Sequence, residues 1–423
     1  MLKCKKIIAI LSLGLLLTSC GKEEVKEEKV ITRTADLIEN INENSKSNEE
    51  QDDQVGDENS DISQFKNKSD EPISRSQSIT IKAGGDIMAN YGQTQYAYNK
   101  GGGTYDFSDS FMYIKDFIKD ADLSIANYET TTNPNKEYSG HPRFNVPSEY
   151  LEAIADAGFD VLTTANNHSL DTEIEGLFTT IDAIEKAGID HVGTHEAEGP
   201  RYIIKDVDGI KVAILSYTYG CNGIENLFIV REEIPEINYL NESEIKKDIE
   251  SAKNEGADFV LVYPHWGIEL RSDADISQIE LGHKMVEWGA DLVIGNHPHV
   301  VEPYEWYQAE NGNKGFIAYA CGNFISIQNL ETVNDIRTEQ SVAYEIKLSK
   351  EFPNGKTRIE DVSAHPLWVG MTYNDYGRSV RTYLCEDFLD GGKYFDEVEE
   401  YQRNRIKTAD ESTRKTLVQM ENE

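Results

Sequence analysis

Ser78-Ile79-Thr80-Ile81-Lys82-Ala83 runs directly into Gly84-Gly85-Asp86, a short β-branched stretch that stops on glycine and then on a carboxylate. Four other stretches are built and terminated in the same way. Residues 121–126 lead into Asn127-Tyr128-Glu129, residues 160–165 into Asn166-Asn167-His168, residues 259–263 into His265, and residues 291–294 into His297-Pro298-His299. Short runs of this kind, bounded by Gly, Asn or Pro, read as strands. Each delivers metal-ligand types of residue at its carboxyl end. Ligands of open α/β sheets sit in the crevice beyond those ends, so five endings far apart in sequence are expected to meet in one place.

Between the strands lie helical patterns at 107–119, 148–157, 173–187, 242–255 and 277–288, and this alternation predicts an α/β fold. Residues 202–207 and 210–217 flank Asp208-Gly209, which supplies the positive φ angles of a two-residue hairpin turn. Further on, 316–321, 341–348 and 357–362 are strand-like with little helix between them, which predicts a second, mostly antiparallel sheet. Residues 394–423 read as polar helix, and no internal repeat is visible.

The chain has 423 residues, with 41 basic against 76 acidic side chains and a formal charge of −35. A surface that acidic repels polyanions, which argues against nucleic acid as a partner. Lys3, Lys5 and Lys6 precede an apolar run, 7–17, which is shorter than the roughly 18 residues a membrane span needs. A secretory signal is the expected reading. Its ending, Leu17-Thr18-Ser19-Cys20-Gly21, resembles a bacterial lipobox, which would make Cys20 the lipid-modified first residue of the mature chain. Residues 21–77 are rich in Glu, Asp, Asn, Ser and Lys, and read as a disordered acidic tether with at most a short helix at 36–41. Beyond the signal, Cys221, Cys321 and Cys385 show no metal or disulfide spacing and read as buried free thiols.

Asp86, Glu129, Asn167, His265, His297 and His299 offer carboxylate, amide and imidazole donors, a mixture that suits Zn, Mn or Fe better than Ca. Two such ions about 3.5–4 Å apart would need a bridging carboxylate, for which Asp86 and Glu129 both qualify. Taken singly, each residue also has an ordinary explanation as a turn, a cap or a core histidine. His297-Pro298-His299 is the sharpest signal, because one rigid residue between two imidazoles would send both to the same side of an extended chain. His141, His191, His195, His283 and His365 lack such a setting and read as solvated or structural.

Six motifs together carry a family resemblance: Gly85-Asp86-Ile87-Met88, Asn127-Tyr128-Glu129, Ala165-Asn166-Asn167-His168-Ser169-Leu170-Asp171, His265-Trp266-Gly267-Ile268-Glu269, Gly295-Asn296-His297-Pro298-His299-Val300 and Gly322-Asn323-Phe324. From about Ile79 to about Gln328 the chain resembles the CapA family of poly-γ-glutamate capsule synthesis proteins, whose fold is similar to that of calcineurin-like metallophosphoesterases. The resemblance implies an α-β-β-α sandwich of two mixed sheets flanked by helices, occupying 78–385, with 386–423 as a helical polar extension. It also implies a centre of two divalent ions, with Asp86 as the first-strand ligand, Glu129 as the bridge, Asn167 as the amide ligand, and His265, His297 and His299 as imidazole ligands. His168 would contact substrate or protonate a leaving group. Asn167 and Glu269 join it as candidate catalytic residues. Two departures stand out. Met88 occupies the place of a histidine in the superfamily's first motif, and Asn127-Tyr128-Glu129 replaces its Gly-Asp-x-x-Asp motif.

The function expected from this resemblance is that of a lipid-anchored protein on the extracytoplasmic face of a bacterial cell membrane. It would act in synthesis, export or attachment of an anionic poly-γ-glutamate type of polymer, alongside membrane subunits of a capsule synthesis complex, through a metal-dependent hydrolase or transferase site. The alternatives are a non-catalytic polymer-handling scaffold and a secreted metallophosphoesterase unrelated to capsule.

Overall fold

The computed structural model describes residues 75–197, 199–230 and 236–420. The expected signal, Cys20, the 36–41 helix and all but the last three residues of the tether lie outside the described residues. Strand β1 (Arg75–Ile87) starts three residues before the expected Ser78. Among the described residues, no helix is long and apolar enough to cross a membrane.

Beyond β1, the strands are β2 (Leu123–Tyr128), β3 (Val161–Thr163), β4 (Asp190–Val192), β5 (Tyr202–Val207), β6 (Ile210–Thr218), β7 (Phe259–His265), β8 (Leu292–Ile294), β9 (Tyr304–Gln308), β10 (Lys314–Ala318), β11 (Asn323–Ile325), β12 (Gln340–Phe352), β13 (Arg358–Asn374) and β14 (Gly377–Leu384). An eight-stranded sheet runs β14-β13-β12-β1-β2-β3-β4, with β11 pairing to β1, and a six-stranded sheet runs β5-β6-β7-β8-β10-β9. In the first sheet β1 to β4 are parallel, and in the second β6, β7, β8 and β10 are parallel. The principal helices are α1 (Tyr91–Lys100), α2 (Glu149–Ala157), α3 (Glu173–Lys186), α4 (Glu242–Asn254), α5 (Ile276–Trp288) and α6 (Glu400–Thr416).

Alternation along the strands builds the layers. Ile79, Ile81 and Ala83 of β1, with Leu123 and Ile125 of β2, meet Val212 and Ile214 of β6, Leu261 and Tyr263 of β7, and Leu292 and Ile294 of β8 in a core between the sheets. The intervening residues face outward. Ala126, Tyr128 and Leu162 pack under Tyr150, Leu151 and Ile154 of α2. Ala213, Leu215, Val260, Val262 and Val293 pack under Ile245 and Ile249 of α4 and Met285 and Val286 of α5. Apart from the edge strand β4, the parallel strands are therefore buried on both faces, as crossover helices require, and each fully buried aliphatic contributes about 1.5–3 kcal/mol. The result is the expected α-β-β-α sandwich of two mixed sheets.

Three sequence expectations are revised. The strands at 341–348 and 357–362 form no sheet of their own. As parts of β12 and β13 they extend the first sheet across β1, where β12 pairs antiparallel with residues 75–83, while β10 joins the second sheet. Of the helix expected over 107–119, only Lys115–Lys119 is helical, preceded by turns. Helix α1 was not read from the sequence because Tyr91-Gly92-Gln93-Thr94-Gln95-Tyr96 lacks an apolar period. It is set by a capping box in which Asn90 Oδ1 accepts from the Tyr91 amide at 2.7 Å and Gln93 Oε1 accepts from the Asn90 amide at 2.8 Å. The polar C-terminal helix is present as α6, which buries Ile406, Ala409 and Thr413 against a cluster containing Trp368, Tyr383 and Phe388. Cys221, Cys321 and Cys385 are buried free thiols, as expected.

Gly85 is required by close packing, since a Cβ there would lie 1.8 Å from the Gly322 carbonyl oxygen, whose hydrogen bond from the Asp86 amide ties β1 to the turn before β11. Gly85→Ala is expected to cost about 3 kcal/mol, read as a lower urea midpoint. A second expectation concerns pH. Burial pushes the Glu302 carboxyl up to about 8 from 4.5, against the hydrogen bond it accepts from Gln278. The unfolded chain thus gives up this proton first, so stability is fully present below about pH 4.5 and declines as pH rises through about 8. Glu302→Gln should flatten that decline in urea titrations across the same window.

Candidate metal centre

Strand register brings the polar residues together. Asp86 at the end of β1 stands opposite Asn127 of β2 on one side and Asn323 of β11 on the other. Asn127 in turn stands opposite Thr163 of β3. In the second sheet, His265 at the end of β7 bridges to Asn296, the residue before His297. Carboxyl ends from both sheets therefore open into one buried crevice that holds Asp86, Glu129, Asn167, His168, His265, His297 and His299.

Amides hold the donors in place. Asn127 Nδ2 donates to Asp86 Oδ1 at 2.7 Å and approaches His265 Nδ1 at 3.3 Å. Asn166 Nδ2 donates to the Tyr128 carbonyl at 2.8 Å, beside Glu129. Asn167 Oδ1 lies 2.9 Å from His265 Nε2. Asn323 Oδ1 lies 3.0 Å from His299 Nδ1, while its Nδ2 donates to the Thr338 carbonyl at 2.9 Å. Sequence reading quoted Asn127, Asn166 and Asn323 within motifs without seeing this role. Tyr219 was missed altogether. Its ring lies 4.8 Å from that of His297 and stacks over His265 at 6.3 Å. It follows the carboxyl end of β6, the same positional signal that singled out the other strands.

The two histidines of His297-Pro298-His299 do converge, with ring centroids 6.0 Å apart, but not on an extended chain. His297 has φ of 102° and His299 of 59°, both left-handed, with the Pro298 carbonyl held by the Leu270 amide at 2.8 Å. Such conformations cost on the order of 1–3 kcal/mol each and persist where the surroundings over-determine them.

The electrostatics show what this crevice lacks. Glu129 is 0% exposed, and neither of its carboxylate oxygens has a hydrogen-bond partner. Burial, and then the neighbouring Asp86 charge, push its carboxyl well above the usual range. Burial, and then His297 and His299, hold His265 well below the usual imidazole range. Burial brings His297 down to about 3, and its Nδ1 is also unpartnered. For His299 burial again lowers the value, but the Asp86 hydrogen bond and charge outweigh it, with a net rise. Neutral imidazoles beside unpartnered buried carboxylate oxygens form a donor set that is costly when empty and fits divalent cations. Two groups have ligand atoms within 4.8 Å of one another: Glu129, His265 and His297, and Asp86, Glu129 and His299. Glu129 belongs to both, so of the two carboxylates considered it is the one placed to bridge.

His168 belongs to neither group. Its Nδ1 lies 2.7 Å from Asp171 Oδ2 and its Nε2 is 4.0 Å from Glu129 Oε1, with the Phe144 ring packed across it at 4.6 Å. Beside the centre lies a cavity of about 360 Å³, lined among others by Met88, His141, Phe144, Glu269 and His299. Glu269 is exposed on this wall, within electrostatic reach of Glu129 and His299 but in neither ligand group. Met88, in the place of a histidine, gives the cavity a buried thioether wall. His141, read from sequence as solvated or structural, also lines it. His283 is structural, 3.0 Å from Glu305 and stacked on Tyr307.

Residues 80–328 match the family described as bacterial capsule synthesis protein PGA_cap. The chain belongs to that family. Among curated relatives, the capsule biosynthesis protein CapA of Bacillus anthracis is 30% identical over 267 residues, covering 61% of this chain and 62% of that protein, less than two thirds of its length. The PGA biosynthesis protein CapA of Bacillus subtilis is 29% identical over 286 residues, covering 65% and 68%. Among solved structures, a calcineurin-like phosphoesterase from Bacillus subtilis, YfkN, aligns at 15% identity with a TM-score of 0.46, over 79% of this chain and 100% of that one.

If the donor set of this PGA_cap member is costly when empty, removing its central charge should stabilise the metal-free protein. After dialysis against EDTA, Glu129→Gln is expected to unfold at a higher temperature than wild type, by about 1–3 kcal/mol. Added Mn²⁺ or Zn²⁺ should raise the midpoint of the wild type and leave that of the variant in place.

Proposed function

We propose that this protein acts in the synthesis, export or attachment of an anionic poly-γ-glutamate type of polymer, through a metal-dependent hydrolase or transferase site. In this reading a lipidated Cys20 anchors it to the extracytoplasmic face of a bacterial cell membrane, beside membrane subunits of a capsule synthesis complex. Membership of PGA_cap and the naming of the Bacillus subtilis relative for PGA biosynthesis support the polymer. The observation that carries the catalytic part is Glu129, buried, unpartnered and common to two ligand groups.

Asp86, Glu129, Asn167, His265, His297 and His299 would hold the cations. When bound, ions such as Mn, Fe or Zn supply Lewis acidity toward a carbonyl or phosphoryl oxygen and a counter-charge for the oxyanion that develops on it. Asp171 Oδ2, 2.7 Å from Nδ1, holds the His168 ring with its Nε2 toward the crevice, where it would serve as proton donor to a leaving group. Asn167 fixes the His265 ring. Phe144 and Leu270 narrow the approach and limit water, while Glu269 stands at the rim to orient an incoming amine or hydroxyl. A cationic centre also reconciles an anionic polymer with a chain of charge −35.

Met88 favours a second reading. With a thioether in place of a histidine one ion is held less firmly, and the centre then grips polymer carboxylates without turnover.

The test compares the full chain in detergent with its His297→Ala/His299→Ala variant, measuring metal content and cleavage of poly-γ-glutamate and of bis-p-nitrophenyl phosphate. Metal-dependent shortening of the polymer is expected in wild type, reduced at least about 100-fold in the variant. Bound metal with no turnover would establish the gripping role, and cleavage of the phosphodiester alone would remove the polymer from the proposal.

A further inference from the structure

Helix α1 follows the end of β1 and has one wall on the catalytic cavity and another on a second concavity. Asn90 and Gln93 line the cavity beside His299, whereas Tyr91, Thr94, Gln95 and Tyr98 line an open groove of about 340 Å³. The far side of the groove comes from Tyr105 and Tyr138, and among the described residues Glu137 is the only charged one lining it. The two depressions share a thin partition. Gly140 packs so closely on Asn90 that a Cβ there would lie 2.0 Å from Asn90 Oδ1, with His141 on the cavity side and Tyr138 on the groove side.

The lining chemistry is specific. Tyr98 and Tyr105 have ring centroids 5.4 Å apart, and Tyr105 and Tyr138 also 5.4 Å apart at 90°, so three rings form a continuous aromatic wall. Tyr91 and Tyr98 remain 57% and 43% exposed, although packing could have covered them. Thr94 is 4% exposed and its Oγ1 has no hydrogen-bond partner, which leaves a buried hydroxyl unsatisfied on the groove's own wall. Gln95 is exposed beside it and adds an amide. Among the described residues, no lysine or arginine lines the groove.

Tyrosines give rigid amphipathic contact area at small entropic cost, and clustered exposed aromatics mark binding surfaces. A polyanion such as poly-γ-glutamate would meet no cation here and would face the Glu137 carboxylate. A pyranose ring fits better, because its C–H faces lie flat on tyrosine rings while its equatorial hydroxyls reach a threonine hydroxyl, an amide and a carboxylate.

We propose that the groove between α1 and Tyr138 binds a neutral glycan strand, placing sugar hydroxyls next to the catalytic cavity. Binding itself depends only on the groove, so it stands or falls apart from the catalytic reading.

The test is calorimetric titration of the full chain, without added metal, with the hexamer of N-acetylglucosamine and, separately, with cellohexaose. Wild type is expected to bind at least one of them. Tyr91→Ala/Tyr98→Ala, which alters only exposed side chains, should weaken binding at least about tenfold, a loss of 1.4 kcal/mol or more. Thr94→Val should weaken it less, and the thermal midpoint of the tyrosine variant should match that of wild type. Preference for the hexamer of N-acetylglucosamine would indicate an acetamido-sugar strand, and preference for cellohexaose a plain hexose strand. Absence of binding to both, binding unaffected by the tyrosine substitutions, or displacement of the glycan by poly-γ-glutamate would overturn the proposal.

Discussion

Two carboxylates are sealed between two sheets at the ends of parallel strands, and only one of them is satisfied by the protein. Asp86 takes a hydrogen bond from Asn127, whereas Glu129, equally buried, accepts none and has only imidazoles at 3.7 Å and beyond. Burying an unpaired carboxylate costs several kcal/mol unless it is neutralised or meets a cation. The fold tolerates this because the inter-sheet core and the helix layers on both faces are continuous, and their burial over-determines the strand ends. The centre draws on stability made elsewhere.

That constraint explains features that are otherwise unrelated. The amides of Asn127, Asn166, Asn167 and Asn323 orient donors without adding charge, which suits a crevice already carrying two carboxylates. The left-handed turns at His297 and His299 bring both rings to Glu129, each in a different ligand group. The glycine pair before Asp86 lets β1 approach the Gly322 turn closely enough for its amide to be held there. Strain, close packing and unsatisfied charge therefore occur at the same few residues.

The sequence carried much of this in its strand endings. The five runs whose polar residues sit at a carboxyl end are β1, β2, β3, β7 and β8, because each is short, β-branched and buried on both faces. The 202–217 hairpin was legible through Asp208-Gly209, whose φ values of 50° and 87° are those such a turn requires. What failed was long-range partnership. Nothing local in 341–348 or 357–362 distinguishes a separate antiparallel sheet from an extension of the first one, and β12 found its partner in β1 about 260 residues earlier along the chain. Helix α1 escaped because side-chain caps rather than apolar periodicity define it. Tyr219 escaped because an aromatic after a strand does not look like part of a polar constellation.

The segment least legible in sequence is the one that follows Asp86. Two residues after Asp86 stands Met88, and the chain then caps and turns into α1. The Met88 thioether adds an apolar surface to the cavity wall, which it shares with Phe144 and Leu270. The same turn presents amides to the cavity and tyrosines to the groove, so the residues following β1 set what can approach the carboxylates more than how firmly an ion is held.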